Sequence, residues 1–119
     1  MSMGRAALMA SQLAKRAGET ASASVYRGAE ALFRAQEHAY RALALFRRAG
    51  GQPPASAGVC HTLQAARTGV RHAATALNLE APLRERLAPA ETLRLGSLHA
   101  KTEDWTTVVD SMTSDFQCP

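Results

Sequence analysis

The stretch VYRGAEALFRAQEHAYRALALFRR, residues 25–48, decides the fold class. Val25, Ala29, Leu32, Gln36, Ala39, Leu43 and Phe46 recur at alternating spacings of four and three. That period lays them along one stripe of an α-helix, the seam by which a helix packs on a neighbour. Tyr26, Phe33 and Tyr40 repeat every seven positions and are expected to widen the stripe. The opposite face carries Arg27, Glu30, Arg34, Glu37, Arg41 and Arg48. Glu30 with Arg34, and Glu37 with Arg41, stand at i,i+4, where a Glu-to-Arg pair supports a helix.

Working outward, Gly50-Gly51 ends this helix, and residues 52–58 (QPPASAG) form a loop. Residues 59–79 repeat the pattern with Val59, Leu63, Ala66, Val70, Ala73 and Leu77. Two patterned helices joined by a short loop lie antiparallel, seam to seam. Upstream, residues 5–17 read as a helix with Leu8, Met9, Leu13 and Ala17 on one side. Gly18 is placed at its end, and residues 19–24 are a loop or a weak continuation. Downstream, Pro82 and Pro89 suit the first turns of two further helices, through Leu87 and about Lys101. The expectation is an all-α protein: an antiparallel helical bundle of three longer helices plus short C-terminal helical segments. The bundle occupies residues 1–101 and an acidic C-terminal segment occupies residues 102–119.

The 119 residues suffice for one domain and a core without metal or disulfide staples. Alanine occurs 25 times and aromatic residues make up 5%. Helices can therefore approach closely, but each buried residue contributes little area. Cys60 and Cys118 show no zinc spacing. One disulfide can join them; the commoner reading is free thiols in a reducing compartment, hence a cytoplasmic protein. Residues 1–18 hold Arg5, Lys15 and Arg16, serines and no acid, the composition of a mitochondrial transit peptide, which is the alternative location. No run of 18 apolar residues spans a membrane.

Charge is unevenly placed. All 14 Lys and Arg lie in residues 1–101 with six acids, a balance of +8. Residues 102–119 hold Glu103, Asp104, Asp110 and Asp115 and no Lys or Arg, a balance of −4. Such asymmetry marks an interaction segment. Arg34, Arg41, Arg67 and Arg71 are candidate contacts for an acidic partner. Nucleic acid is the weaker reading, because Glu30 and Glu37 interrupt the basic stripe.

Glu103-Asp104-Trp105-Thr106-Thr107-Val108 carries the sharper signal. Two acids, an aromatic, two spacers and an aliphatic resemble the short linear motif with which autophagy receptors and adaptors bind ubiquitin-like autophagy modifiers. The resemblance implies an extended segment added to a partner's sheet edge. Trp105 and Val108 would then fill two pockets, and Glu103 and Asp104 would meet basic residues at the rim. The competing reading is a helix capped by Thr102, with Trp105, Val108, Val109 and Met112 on one packed stripe.

No phosphate-cradling glycine loop, zinc-protease helix motif or nucleophile elbow occurs. His61 and His72 share a helix with no carboxylate between residues 59 and 79, so they read as surface residues rather than metal ligands. Neither a catalytic residue nor a cofactor is expected. The function expected is a non-catalytic protein–protein interaction adaptor, or a subunit of a larger complex, in autophagy or vesicle trafficking. It pairs with other proteins as a hetero-oligomer or with itself as a homodimer. The alternative is a basic nucleic-acid-associated or mitochondrial helical subunit.

Overall fold

A computed structural model describes residues 3–119. Those residues form helices α1 (Met3–Arg48), α2 (Ala57–Leu77), α3 (Ala81–Arg84) and α4 (Pro89–Asp115), with no strand among them. The protein is all-α.

The break expected at Gly18 does not occur: α1 runs unbroken for 46 residues. A glycine inside a helix costs about 1 kcal/mol, which tertiary burial readily offsets. Here Ala21 and Val25 are buried in one cluster with Leu79 and Leu87, so the residues just after Gly18 have apolar partners. The Thr20 hydroxyl donates back to the Arg16 carbonyl at 2.9 Å and stays within the helix. At 1.5 Å per residue, 46 residues reach about 69 Å. The longest dimension of the molecule is 73 Å, so α1 sets its length.

α1 and α2 pack antiparallel, α2 through its expected seam and α1 through a line shifted from the expected one: Val25, Leu32 and Ala39 are buried, whereas Ala29, Gln36, Leu43 and Phe46 are only half-buried and Ala35 and Ala42 take the inner positions. Val25, Leu32, Ala35, Ala39 and Ala42 are buried from α1; Val59, Leu63, Ala66, Val70, Ala73 and Leu77 are buried from α2. Small residues bring the backbones together. A Cβ added at Gly69 would lie 2.8 Å from the Ala35 Cβ and 3.2 Å from its Cα. The reversal uses Gly50 and Gly51 at φ of 108° and 68°, a region that disfavours side chains. Ser56 then caps α2 by accepting from the Val59 N–H at 3.3 Å.

The third long member of the bundle is α4, not the helix expected over residues 5–17. It lies antiparallel to α2 and alongside α1 in the same direction: Trp105 meets Tyr40, and Phe116 meets Phe46. Its inner residues are Leu95, Leu98, Thr102, Trp105, Val109, Met112 and Phe116, at spacings of three and four. Helix therefore continues past Lys101 to Asp115, and residues 102–119 dock on the bundle. Polar residues are accommodated by internal bonds. The hydroxyls of Thr102, Thr106 and Thr113 donate to the carbonyls of Leu98, Thr102 and Val109 at 2.7–2.8 Å. The Ala55 N–H donates to the Phe116 carbonyl at 2.8 Å and fixes the chain end to the α1–α2 loop.

That return also corrects the reading of the cysteines as free thiols. Cys60 and Cys118 are joined in a disulfide with a Cα separation of 5.4 Å. They stand 58 positions apart, and only the course of α4 brings them together.

Candidate interaction surfaces

The C-terminal segment is helical where an extended strand was one expectation. Trp105 is half-buried and meets Tyr40 edge-on, ring centroids 5.4 Å apart at 72°. Val109, its i+4 neighbour, is fully buried, while Val108 points outward. Glu103 and Asp104 are exposed. Residues 103–108 thus divide into a packed side and a solvent side, as helical period demands. Pairing this segment with a sheet edge requires α4 to unwind there.

The four arginines do not make one patch. Arg67 faces α4, where its guanidinium lies 3.3 Å from the Asp110 carboxylate. Arg34 lines a cleft with His72 and Ala76 of α2. Arg67 and His72 are five positions apart, about 140° around the helix, so Arg34 and Arg67 sit on different sides of the bundle. Arg41 and Arg71 are exposed. The Arg67–Asp110 pair is partly solvated and contributes up to about 1 kcal/mol. It shows where part of the acidic charge goes: onto the bundle itself.

Two surfaces that the sequence reading did not single out are more prominent. One is the N-terminal stretch of α1. The turn between α3 and α4 reaches α1 near Gly18, where an added Cβ would lie 3.7 Å from the Arg86 carbonyl. α2 ends at Leu77, beside Gly28. Residues 3–13 therefore extend past the other helices, with Leu8, Met9 and Leu13 exposed. The other is the outward row of Tyr26, Phe33 and Tyr40, which the seven-residue repeat had assigned to the buried stripe. All three rings are exposed, and Tyr26 and Phe33 line a cleft of about 450 Å³ between α1 and Arg94 of α4. Their repeat is real, but at seven residues it runs parallel to the buried seam and does not join it.

His61 and His72 are exposed, and the described residues hold no group of three or more His, Cys, Asp or Glu arranged to bind a metal. No helix among the described residues is long and apolar enough to cross a membrane. The chain matches no protein-family profile, no curated protein and no solved structure.

Proposed function

We propose that the protein is a non-catalytic helical adaptor, or a subunit of a larger complex, that takes hold of another protein through the N-terminal stretch of α1. One observation carries this reading: the inner seam of α1 continues beyond the helices that cover it. Ala10, Leu13 and Ala17 continue, at helical spacing, the face that buries Ala21, Ser24 and Gly28. Over Ala21–Ala42 that face is filled by the rest of the chain; Ala17 is half-buried, and over residues 6–13 the face is open. An isolated helix of this length is marginal in water. A second amphipathic helix laid on the stripe supplies the missing packing, the helix-in-groove mode of recognition. Arg5, Lys15 and Arg16, with no acid before Glu19, favour an acidic partner segment.

The Cys60–Cys118 bond supports residence in an oxidising compartment rather than the reducing cytosol. Recognition of an autophagy modifier by residues 103–108 is a separate reading, and it depends on the opening of α4 over that segment.

A photo-crosslinking residue at Leu13 tests the proposal in intact cells. Adducts of one discrete mass, lost when Met9 is changed to Asp, are the expected result. A Leu13 probe that yields no adduct, or the same diffuse adducts as a probe at exposed Thr68 on α2, overturns it.

A further inference from the structure

The outward face of α1 carries a second row distinct from the docking stretch above. Glu19, Tyr26, Glu30, Phe33, Glu37 and Tyr40 follow one another at spacings of seven, then four and three, and all are exposed. Tyr26, Phe33 and Tyr40 are 59%, 62% and 62% exposed. Large aromatics left this open in a regular row are unusual on a chain poor in aromatics.

We propose that this row is the contact of a homodimer in which α1 packs antiparallel against α1 of a second copy. A two-fold contact uses one patch twice, so the patch must complement itself: where residue i meets j, j meets i. The row meets that condition. With the two-fold axis level with Leu32, Glu30 stands level with Arg34 of the second copy, and Glu37 with Arg27, which flanks the row on the α2 side and also donates to the Ser24 hydroxyl at 3.0 Å. Symmetry repeats both, which gives four opposed charge pairs. In the same register the rings interleave, Phe33 beside Phe33 and Tyr26 beside Tyr40, each offset by two residues, about 3 Å along the axis. Glu19 falls one half-turn from Arg47 of the second copy. A parallel pair in register puts every Arg level with an Arg and every Glu level with a Glu, which disfavours it.

The area is adequate. A large aromatic side chain presents roughly 200 Å². At the observed exposures each ring offers about 120 Å², and six rings about 700 Å². That is more than half of the roughly 1,200 Å² at the lower end of stable interfaces, before the charged flanks are counted.

Sedimentation velocity on the intact, oxidised chain tests this. The wild type should dimerise with a Kd in the micromolar range, around −8 kcal/mol at 1 M standard state. Phe33→Asp should weaken association by about 100-fold while helix content and melting stay unchanged, because Phe33 is 62% exposed. Arg27→Glu and Glu37→Arg should each weaken it about tenfold, and the double exchange should restore it. Scattering in solution should give a dimer about 87 Å long, twice the 29-residue reach from Leu32 to Met3 at 1.5 Å per residue. Four results overturn the proposal: a wild type still single at about 200 µM; association indifferent to Phe33→Asp; a double exchange as weak as its components; or a row that binds only a different protein.

Discussion

The ring of Phe116 lies almost flat on that of Phe46, centroids 3.9 Å apart and planes 13° from parallel. The contact closes the bundle at the end where α1 turns into α2. Phe116 is buried with Val59, Leu63 and Ala42, and Met112 packs beside them. Removing a buried phenylalanine ring costs about 3–5 kcal/mol. Phe116 sits at the rim of the core, so Phe116→Ala should cost about 3 kcal/mol. Urea titration followed by circular dichroism measures this; a loss below about 1 kcal/mol would mean that the C-terminal turn is not docked in solution.

The disulfide acts on the same end but by another route. It closes a loop of 58 residues, and the chain-entropy relation for that length gives about 4 kcal/mol at 25 °C, mainly by restricting the unfolded chain. Melting with and without reductant should show a fall of that order, and the Cys60→Ser, Cys118→Ser double variant should melt like the reduced protein. Because Phe116 holds α4 independently, the reduced bundle should keep its helix content before the transition. A reduced chain already unfolded at room temperature would show that packing alone does not hold α4.

What the sequence disclosed, and what it hid, follows from where the governing forces act. The α1–α2 hairpin was legible because Val59 to Leu77 on α2, and Val25, Leu32 and Ala39 on α1, report burial directly through their period; Ala35 and Ala42, equally buried, were passed over. The continuity of α1 was not. Gly18 and the polar run after it favour a break locally, and residues distant in sequence, Leu79 and Leu87 among them, supply the burial that overrides them. Helix was read on both sides of Thr102, to about Lys101 and again from a Thr102 cap, but the continuity of α4 hid for a related reason. Its seam passes through Thr102, which looks polar but satisfies its hydroxyl on the Leu98 carbonyl. A count at spacings of three and four from Leu95 to Phe116, with Thr allowed, finds the helix. Tyr26, Phe33 and Tyr40 show the limit of a sequence stripe: period gives their row, and only α4 decides which side of it is covered.

Trp105 separates two roles for the acidic segment. Packed on Tyr40 and next to Val109, the indole belongs to the bundle. Amides of residues 103–108 should then exchange with solvent as slowly as those of Val70 and Ala73, since both sets open only with the core. Trp105→Ala should lower stability by about 2–3 kcal/mol, less than a fully buried ring. Fast exchange confined to residues 103–108 would instead reveal local unwinding, the condition for strand-like recognition of a ubiquitin-like modifier.

Acid should loosen the start of α4. The Ser22 hydroxyl and the Ala88 N–H both donate to Glu91 and hold its carboxyl below the ordinary value of 4.5. A carboxyl depressed on folding contributes stability above its unfolded value, and that contribution is lost as pH falls through the lower folded value. Wild type should therefore exceed Glu91→Gln in urea midpoint at pH 7, with the gap closing below pH 4.5. A constant gap from pH 7 to pH 3 would assign the difference to something other than the charge of Glu91.

Two glycines should respond to the same substitution with opposite signs. Gly96 lies in the interior of α4 with open space around it: an added Cβ meets nothing within 4 Å. Gly96→Ala exchanges the worst ordinary helix former for the best and also restricts the unfolded chain, so it should stabilise by about 0.5–1 kcal/mol. Gly69 has the same intrinsic gain available on α2, but its added methyl comes within 2.8 Å of the Ala35 Cβ and 3.2 Å of its Cα. The second of these atoms is backbone and cannot rotate away, so α1 and α2 must separate along the seam that both share. Overpacking of this kind costs about 1–3 kcal/mol, which outweighs the propensity gain. Gly69→Ala should thus destabilise, while Gly69→Ala with Ala35→Gly removes the 2.8 Å contact but not the 3.2 Å one and should recover only part of the loss. If Gly69→Ala proves neutral and the double variant is no better, the helices stand further apart than close contact requires.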